Sequence, residues 1–337
     1  MSPMMATPQS TAATDPRLAA LHDWLAPRFG IVTLEPASSD ASFRRYFRFH
    51  QGGRSYVVMD APPEHEDCRP FVDIAARLQR AGLHVPGILA ADLERGFLLL
   101  GDLGTTVYLA VLNEANADAL FADAIAALVT MQADADASGL PAYDRALLLR
   151  ELNLFVDWYL GRHLQIELDA AEAADLAAVF EALITRAQAQ AQVFVHRDYM
   201  PRNLMVSQPN PGVLDFQDAV VGPVSYDPVC LFRDAFISWP AARVSDWLHE
   251  YWQQGRARGV PLPPRFADFQ VDVDWMGVQR HLKVLGIFAR IRHRDGKPQY
   301  LEDAPRFFEY ILQVAPRYPE LAPLAALFAK RILPAVH

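Results

Sequence analysis

The segment Val193-Phe-Val-His196-Arg-Asp198-Tyr-Met-Pro-Arg-Asn203-Leu-Met-Val206 contains the pattern on which the fold of this chain depends. Residues 193–195 and 204–206 are short apolar runs, which is typical of buried strands. The polar loop between the two runs carries Asp198 and Asn203 five positions apart. The sequence therefore predicts two strands joined by a loop that presents both a carboxylate and an amide.

A second carboxylate follows on the next apolar stretch, Val213-Leu-Asp215-Phe-Gln-Asp. Phosphoryl transfer from a nucleotide needs a carboxylate that orients the attacking hydroxyl and takes its proton, and it needs oxygen ligands for a magnesium ion. Asp198 suits the first task, and Asn203 and Asp215 suit the second. Each motif alone is common by chance, but their order, spacing and strand context together indicate phosphoryl transfer.

The chain before this segment alternates short β-rich runs with single helices. Apolar spacing predicts a first helix over residues 15–29 that ends at Gly30, and a second helix from about residue 69 to 81. Strands are predicted at 31–34, 43–49, 56–59, 85–90 and 97–100, with Gln51-Gly-Gly as a hairpin turn. The order after the first helix is β-β-β-α-β-β, which indicates a small antiparallel sheet.

After Gly101-Asp-Leu-Gly104 the pattern becomes helical. Apolar stripes run through 120–129 and 152–164, and Asp169-Ala-Ala-Glu172 is typical of a capping box that opens a helix ending near residue 189. Helical patterning returns at residue 241. We predict an α+β, bilobal fold, with a flexible tail (1–14), a β-rich nucleotide-binding lobe (15–103) and a larger helical lobe (104–337) that holds the catalytic loop and the acceptor site.

Length and composition limit the classes of function. The 337 residues are about twice the usual size of one domain, 52% are hydrophobic and 21% charged. No uncharged apolar run approaches the roughly 18–20 residues that span a bilayer, so we expect a soluble protein without membrane contact. The net charge of -9 has the wrong sign for a nucleic-acid binder, and two cysteines fit a reducing, cytoplasmic location. The sequence indicates no obligate protein partner.

The catalytic-loop pattern resembles the protein-kinase-like fold, specifically the aminoglycoside phosphotransferase-like family of small-molecule kinases. The segments Ser39-Asp-Ala-Ser-Phe-Arg-Arg-Tyr-Phe-Arg48 and Val58-Met-Asp-Ala-Pro-Pro63 also carry this resemblance, which covers nearly the whole chain. Within the family, the motifs are similar to those of sugar kinases of bacterial cell-wall recycling. The resemblance implies a kinase that uses ATP and Mg²⁺ to phosphorylate the anomeric C1 hydroxyl of N-acetylmuramate or N-acetylglucosamine.

Carried over by position, the resemblance implies roles for individual residues. Asp198 would be the catalytic base, and Asn203 and Asp215 would hold the magnesium ion. The hinge that meets adenine would comprise Leu100, Gly101, Asp102 and Leu103.

The chain departs from the general kinase pattern in its nucleotide-binding lobe. Its strand Tyr56-Val-Val-Met59-Asp60 has no lysine where a phosphate contact is expected, and the first 282 residues contain none. Arginine can grip phosphate oxygens instead, and alternation along a strand lets at most one of Arg44 and Arg45 face the nucleotide. The preceding loop has serines in place of glycines. The candidates for nucleotide contact in this region are Ser39, Ser42, Phe43, Arg44 and Arg45.

Candidates for acceptor binding are less specific. Asp227, in the turn Gly222-Pro-Val-Ser-Tyr-Asp227-Pro, is expected to accept backbone N–H bonds from the catalytic loop or to contact the acceptor, whereas His196, Arg197 and Tyr199 are expected to support the loop. Charged side chains on helices are commonly solvated, but in this fold they and a neighbouring tryptophan are also candidates for contact with the acceptor. These remaining candidates are Glu151, Asp157, Trp158, Arg162, Arg202, Arg290 and Arg292.

Two other functions stay open at this stage. The acceptor could be an aminoglycoside or another hydroxyl compound, in which case acidic side chains should line the acceptor site. The missing strand lysine would also suit a catalytically inactive binding module, but the presence of Asp198, Asn203 and Asp215 together argues against it.

Overall fold

The computed structural model describes residues 15–38 and 43–336. The described chain divides into two compact units. The small unit comprises the residues up to Val72 together with Pro86–Asp102, and the large unit comprises Asp73–Val85 together with the chain from Leu103 onwards. The segment Asp73–Val85 therefore groups with the large unit, although it lies between two parts of the small unit in sequence.

The small unit is built on an antiparallel sheet. Its strand order is β1-β2-β3-β5-β4. The elements of this part of the chain are α1 (Pro16–Phe29), β1 (Glu35–Ser38), β2 (Arg45–Gln51), β3 (Arg54–Asp60), α2 (Arg69–Arg80), β4 (Ile88–Asp92) and β5 (Phe97–Gly101). The predicted order of strands and helices is confirmed, and so is the hairpin turn, where Gly52 and Gly53 both have positive φ.

Helix α1 covers one face of this sheet. Asp15 caps its first turn by accepting hydrogen bonds from the N–H groups of Arg17 and Leu18, and Gly30 ends the helix with a φ of 68°. Its apolar side packs on the sheet to form a buried cluster. The fully or nearly fully buried members of this cluster are Leu21, Trp24, Leu25, Val32, Phe49, Val58, Phe97 and Leu99.

Two predicted strands in the small unit are wrong in position. The first strand was expected at 31–34, yet β1 begins at Glu35. The apolar run instead connects α1 to the sheet: Val32 packs in the cluster, while Ile31 is fully exposed. Strand β1 lies at the sheet edge, where a polar sequence containing proline is tolerated. The fourth strand, expected at 85–90, begins three residues later at Ile88.

The large unit is mainly helical. Its regular elements are α3 (Tyr108–Val111), α4 (Ala117–Asp134), α5 (Arg145–Leu154), a π-helix (Phe155–Leu164), α6 (Ala170–Ala189), β6 (Gln192–Val195), β7 (Leu204–Met205), β8 (Gly212–Val213), β9 (Val220–Pro223), α7 (Tyr226–Phe232), α8 (Ala241–Ala257), α9 (Phe266–Asp295), α10 (Ala304–Val314), α11 (Ala322–Leu327), a second π-helix (Phe328–Ile332) and α12 (Leu333–Val336). Short 3-10 turns occur at Pro201–Asn203, Pro298–Asp303, Ala315–Arg317 and Pro319–Leu321. The predicted α+β organisation is confirmed.

The 30-residue helix α9 forms the centre of the large unit. It contacts α5, the π-helix Phe155–Leu164, α6, α7, α8 and α10, which explains why its apolar residues extend around most of its circumference. The backbone of Leu154 approaches Gly286 so closely that a β-carbon there would lie 2.3 Å from the carbonyl carbon of Leu154. Glycine at this position therefore permits the contact between α9 and the end of α5.

Two pairs of short strands frame the predicted catalytic loop. Strand β6 pairs with β9 and strand β7 pairs with β8, both antiparallel. The capping box that opens α6 is present, with Asp169 accepting from the N–H of Glu172 and Glu172 accepting from the N–H of Asp169. Within the described ranges, no helix combines the length and apolar character needed to span a bilayer.

Candidate active site

The predicted catalytic loop, residues 196–203, is fixed by hydrogen bonds within the loop and to its neighbours. Strand β6 ends at Val195, and the 3-10 turn Pro201–Asn203 leads into β7. The carbonyl of Asp198 accepts hydrogen bonds from the N–H of Met200 at 2.9 Å and from Nδ2 of Asn203 at 2.9 Å. Asp198 is half-buried and Asn203 is buried. The Asp-x4-Asn spacing thus closes a compact loop in which Asn203 holds the backbone of Asp198.

Asp215 lies beside Asn203, as the sequence predicted. Nδ2 of Asn203 donates to Oδ2 of Asp215 at 3.3 Å, and Nε2 of Gln217 donates to Oδ1 of Asp215 at 2.8 Å. Asp215 is exposed and has a φ of 62°, a left-handed conformation that turns the chain directly after the apolar Val213-Leu214. The three residues expected to carry the chemistry therefore form one hydrogen-bonded group.

His196 links the catalytic loop to the segment that carries Asp215. Its Nδ1 accepts from the N–H of Asp198 at 3.2 Å, and its Nε2 lies 3.0 Å from the carbonyl oxygen of Leu214. Since an N–H can only donate and a carbonyl can only accept, the proton resides on Nε2. Burial lowers the pKa of His196 to about 4. His196 is thus a neutral, structural histidine.

Asp227 supports the same loop by accepting hydrogen bonds from its backbone. Its Oδ2 accepts from the N–H of His196 at 2.8 Å, and its Oδ1 accepts from the N–H of Arg197 at 3.0 Å. This confirms the expected role as an acceptor of backbone N–H bonds. Asp227 has no exposed surface, so the alternative expectation that it contacts the acceptor is wrong. Burial raises its pKa to about 7, against the effect of the two N–H donors.

The oxygen groups of Asn203 and Asp215 suit a magnesium ion. Magnesium prefers oxygen ligands and keeps several waters, so two protein oxygens together with phosphate oxygens provide enough ligands. Asn203 uses its amide nitrogen for the bonds to Asp198 and Asp215, which leaves Oδ1 as an acceptor. Among residues 15–38 and 43–336, His, Cys, Asp and Glu side chains form no group of three suited to a metal ion.

Glu151 is part of a buried charged network rather than an acceptor wall. Only 4% of its surface is exposed, and Oε1 accepts from Nη2 of Arg197 at 2.6 Å and from Nζ of Lys283 at 3.1 Å. The predicted acceptor contact is therefore wrong for Glu151. Sequence reasoning missed this network, although Lys283 gave a signal: it lies within the apolar run of α9, where a buried lysine needs a partner.

The remaining acceptor candidates are more dispersed. Arg202 is half-buried, with its guanidinium 4.9 Å from the centroid of the Phe236 ring. Asp157, Trp158 and Arg162 lie on the π-helix Phe155–Leu164. Arg290 and Arg292 lie near the end of α9.

Arg292 lines a surface pocket of about 950 Å³. The residues around this pocket come from 159–164, 292–313 and 333–336. Arg202, by contrast, lies in the turn Pro201–Asn203, within the predicted catalytic loop.

In the small unit, the two candidate arginines differ in their partners. Arg45 binds the fully buried Asp60 through its Nε at 2.9 Å and also pairs with Asp15. Arg45 lies opposite Asp60 in the register of β2 and β3, so its side chain is on the face covered by α1. Arg44 pairs instead with Glu66, at 3.5 Å between Nε and Oε2.

The loop before β2 and the hinge complete the set of nucleotide candidates. Ser39 and Ser42 lie outside the described residues. Phe43 is exposed and stacks on His65, with 4.4 Å between ring centroids.

At the hinge, Leu100 is buried and the N–H of Gly101 donates to the carbonyl of Gly87 at 2.8 Å. The carboxylate of Asp102 accepts from Arg48 and Ser55 at 2.6 and 2.5 Å. Leu103 begins the next segment of the large unit.

Comparison with known proteins is consistent with this geometry. Residues 33–269 match the model of the phosphotransferase enzyme family. The chain is 61% identical over 296 residues to an N-acetylmuramate/N-acetylglucosamine kinase of Pseudomonas aeruginosa, covering 88% of each chain. It is 44% identical over 301 residues to a protein of the same name from Neisseria meningitidis, covering 88% of this chain and 90% of the relative.

Solved structures share the fold at low sequence identity. An aminoglycoside phosphotransferase, APH(2'')-Ib with ADP bound, matches with a TM-score of 0.58 at 16% identity. A putative aminoglycoside phosphotransferase of Ralstonia eutropha matches with a TM-score of 0.62 at 16% identity. Each match covers 87% of this chain and 97% of the other. The family match over more than half of the chain, together with these relatives, shows that this chain belongs to the phosphotransferase enzyme family.

Proposed function

We propose that this chain is an ATP-dependent sugar kinase that phosphorylates the anomeric C1 hydroxyl of N-acetylmuramate or N-acetylglucosamine, in the recycling of peptidoglycan. The observation that carries the proposal is the 61% identity to N-acetylmuramate/N-acetylglucosamine kinases over 88% of the chain.

The proposed chemistry follows from the grouping of Asp198, Asn203 and Asp215. The carboxylate of Asp198 orients the sugar hydroxyl and takes its proton as the oxygen attacks the γ-phosphorus of ATP. A bond forms between this oxygen and phosphorus, the bond from phosphorus to the ADP oxygen breaks, and ADP leaves. Because Met200 and Asn203 hold the carbonyl of Asp198, the backbone that aims the carboxylate is fixed before the substrates bind.

Asn203 and Asp215 are the residues that would hold a magnesium ion. Such an ion, when bound, neutralises charge on the phosphate oxygens. The amide bond from Asn203 to Asp215 keeps the two side chains side by side, and the bond from Gln217 restrains the second carboxylate oxygen of Asp215. The site is thus arranged by the chain's own hydrogen bonds.

In the small unit we assign the phosphate-binding cation to Arg44. Arg45 is committed to Asp60 and Asp15 on the α1 face, whereas Arg44 precedes it by one residue and extends to the other face. Its pair with Glu66 gives a cation and an acidic partner, the combination that a lysine and a glutamate provide in protein kinases. The backbone of residues 100–103 is the proposed adenine contact.

Product analysis tests the proposed function directly. Purified protein is incubated with ATP, Mg²⁺ and either N-acetylglucosamine or N-acetylmuramate, and the product is examined by phosphorus–proton correlation NMR. We expect the phosphorus to couple to H1 of the sugar. Coupling to the H6 protons would contradict the anomeric assignment.

Two control acceptors make this test specific. A methyl glycoside of N-acetylglucosamine, in which the C1 oxygen is capped, should not be phosphorylated. Turnover of an aminoglycoside in place of both amino sugars would overturn the proposed acceptor class while leaving the phosphotransferase family unaffected.

A further inference from the structure

A buried ionic network lies under the catalytic loop in the large unit. Its centre is Glu151 of α5, whose two carboxylate oxygens accept four hydrogen bonds. Oε1 accepts from Arg197 at 2.6 Å and from Lys283 at 3.1 Å, while Oε2 accepts from the Tyr143 hydroxyl and from Gln279 at 3.5 Å. One carboxylate on α5 thus fixes a catalytic-loop arginine, a lysine of α9 and two neutral side chains.

The charges of the network favour its ionised form. Burial opposes ionisation of Glu151, but the positive charges of Lys283 and Arg197 outweigh this effect and lower its pKa. Arg197 and Lys283 are themselves buried or nearly so. Removing the carboxylate would leave two buried cations without their counter-charge, which is the costly way to break such a pair.

Arg197 needs this restraint because of its backbone. Its φ is 77°, in the left-handed region that is unfavourable for a residue with a β-carbon. Both its backbone and its side chain are restrained: the Cys230 thiol donates to the carbonyl of Arg197 at 3.2 Å, and Nη1 of Arg197 donates to the carbonyl of Asp218 at 3.4 Å. Asp227 binds the N–H of Arg197 at 3.0 Å, and Glu151 binds the far end of its side chain.

The consequence concerns the next residue, Asp198. If the side chain of Arg197 lost its anchor, residue 197 could relax towards negative φ, and the peptide that carries Asp198 would rotate with it. A misplacement of about 1 Å in a reacting group costs about 100-fold in rate. The anchor therefore controls the position of the carboxylate without touching either substrate.

We propose that Glu151 is a positioning residue, which acts through Arg197 to hold Asp198 in the orientation needed for phosphoryl transfer. The proposal rests on the proposed role of Asp198. It assigns Glu151 to the support of the loop and predicts that its effect passes through residue 197.

The test is a double-mutant cycle of Glu151→Gln and Arg197→Ala. We expect each single change to lower kcat by about 100-fold while the KM for ATP changes less than about threefold. Alanine keeps the β-carbon that disfavours left-handed φ but lacks the side chain that Glu151 holds. Glu151→Gln should therefore have no further effect on kcat in the Arg197→Ala background, and Glu151→Asp should restore part of kcat. Arg197→Gly, which tolerates left-handed φ without an anchor, should lose less kcat than Arg197→Ala.

Three outcomes would overturn the proposal. Unchanged kcat in Glu151→Gln or in Arg197→Ala would show that phosphoryl transfer does not need the contact between Glu151 and Arg197. Multiplicative losses in the double variant would show that Glu151 does not act through Arg197. A rise in the KM for the sugar at constant kcat would make Glu151 an acceptor contact.

A second variant covers the case in which Glu151→Gln does not fold. Combining Glu151→Gln with Lys283→Met removes the surplus cation, and the same kcat loss is expected. All variants are compared on an acceptor that the wild type phosphorylates, so failure of the proposed sugar is detected separately.

Discussion

His196 can make its two hydrogen bonds in only one protonation state. It needs Nδ1 unprotonated to accept from Asp198 and Nε2 protonated to donate to Leu214. A second proton would break the first of these bonds. The side chain is fully buried, so protonation would also place a positive charge where water cannot solvate it.

Acid should therefore destabilise the protein through His196. Its folded-state pKa of about 4 is below the ordinary value of 6.5, so the unfolded state binds the proton more readily. Its contribution is complete above pH 6.5 and falls as the pH drops towards 4. Between pH 7 and pH 5 the loss from this residue should be about 2 kcal/mol. Urea unfolding of wild type and His196→Asn at both pH values checks this: the variant should lose about 2 kcal/mol less, and parallel losses would contradict the prediction.

Replacing Asp198 should affect turnover but not nucleotide binding. Asp198→Asn keeps a side chain of the same shape and leaves Asn203 and Asp215 in place, so ATP affinity should stay within about threefold. Loss of the base should lower kcat by about 100- to 10,000-fold. Calorimetric titration with a nucleotide analogue and steady-state kinetics measure the two effects. Near-normal turnover would remove Asp198 from its proposed role.

Arg44 and Arg45 provide a matched pair. Arg44→Ala should raise the KM for ATP at least about tenfold with little change in stability, because its charge is assigned to the phosphates. Arg45→Ala should leave that KM nearly unchanged and lower the free energy of unfolding by about 1–3 kcal/mol, because it leaves the buried Asp60 with Arg17 as its remaining cation. The reverse result would exchange the two assignments.

At the scale of single elements, α9 depends on one close backbone approach. A β-carbon at Gly286 would lie 2.3 Å from the carbonyl carbon of Leu154, which cannot move like a side chain. Gly286→Ala should therefore lower the free energy of unfolding by about 2–3 kcal/mol, although alanine is normally the better helix former.

Gly255 of α8 is the matched control for this substitution. A β-carbon there would lie closest to a terminal methyl group of Leu262, at 2.7 Å, and at ordinary contact distance from the side chain of Val260, at 3.6 Å. Gly255→Ala should change stability by less than about 1 kcal/mol, since the Leu262 side chain can rotate away. Equal effects of the two substitutions in thermal or urea unfolding would contradict the packing argument.

Elements with strong local signals were predictable from the sequence. Helix α1 has its cap at Asp15 and its stop at Gly30, and α6 has a capping box, so their ends are specified within a few residues. The π-helix Phe155–Leu164 was not predictable, because its stripe of apolar residues suits an ordinary helix. Strand β1 was missed because the edge of a sheet accepts a polar sequence.

On the scale of the whole molecule, one group of site residues could be predicted from sequence spacing and the other could not. Asp198, Asn203 and Asp215 come from 18 consecutive residues between framing strands, so their spacing alone brings them together. Glu151 and Lys283 meet because α5 and α9 pack side by side, and Arg197 joins them from the loop after β6. Sequence spacing contains no information about that contact, and Glu151 was therefore assigned to the acceptor.

The distribution of lysines gives a prediction for the complete protein. The chain has lysines only at 283, 297 and 330, all in the large unit, and Lys283 is buried against Glu151. Acetylation of accessible amines in the native protein should leave the KM for ATP unchanged. An arginine-directed dicarbonyl reagent should abolish activity, and ATP should protect against it. Loss of ATP affinity after acetylation would show that an amine contributes to the nucleotide site.

Strand β3 has no lysine where the general kinase pattern places one, and this absence also affects how the enzyme can be detected and inhibited. Chemoproteomic surveys capture nucleotide-binding enzymes with acyl-phosphate probes that transfer a tag to a nearby lysine amine. The small unit contains no lysine, so the enzyme would be undercounted in such surveys. Covalent inhibitors built on the same reaction should not react with it either, whereas reagents directed at guanidinium groups should react with Arg44 if it is the phosphate contact that we propose.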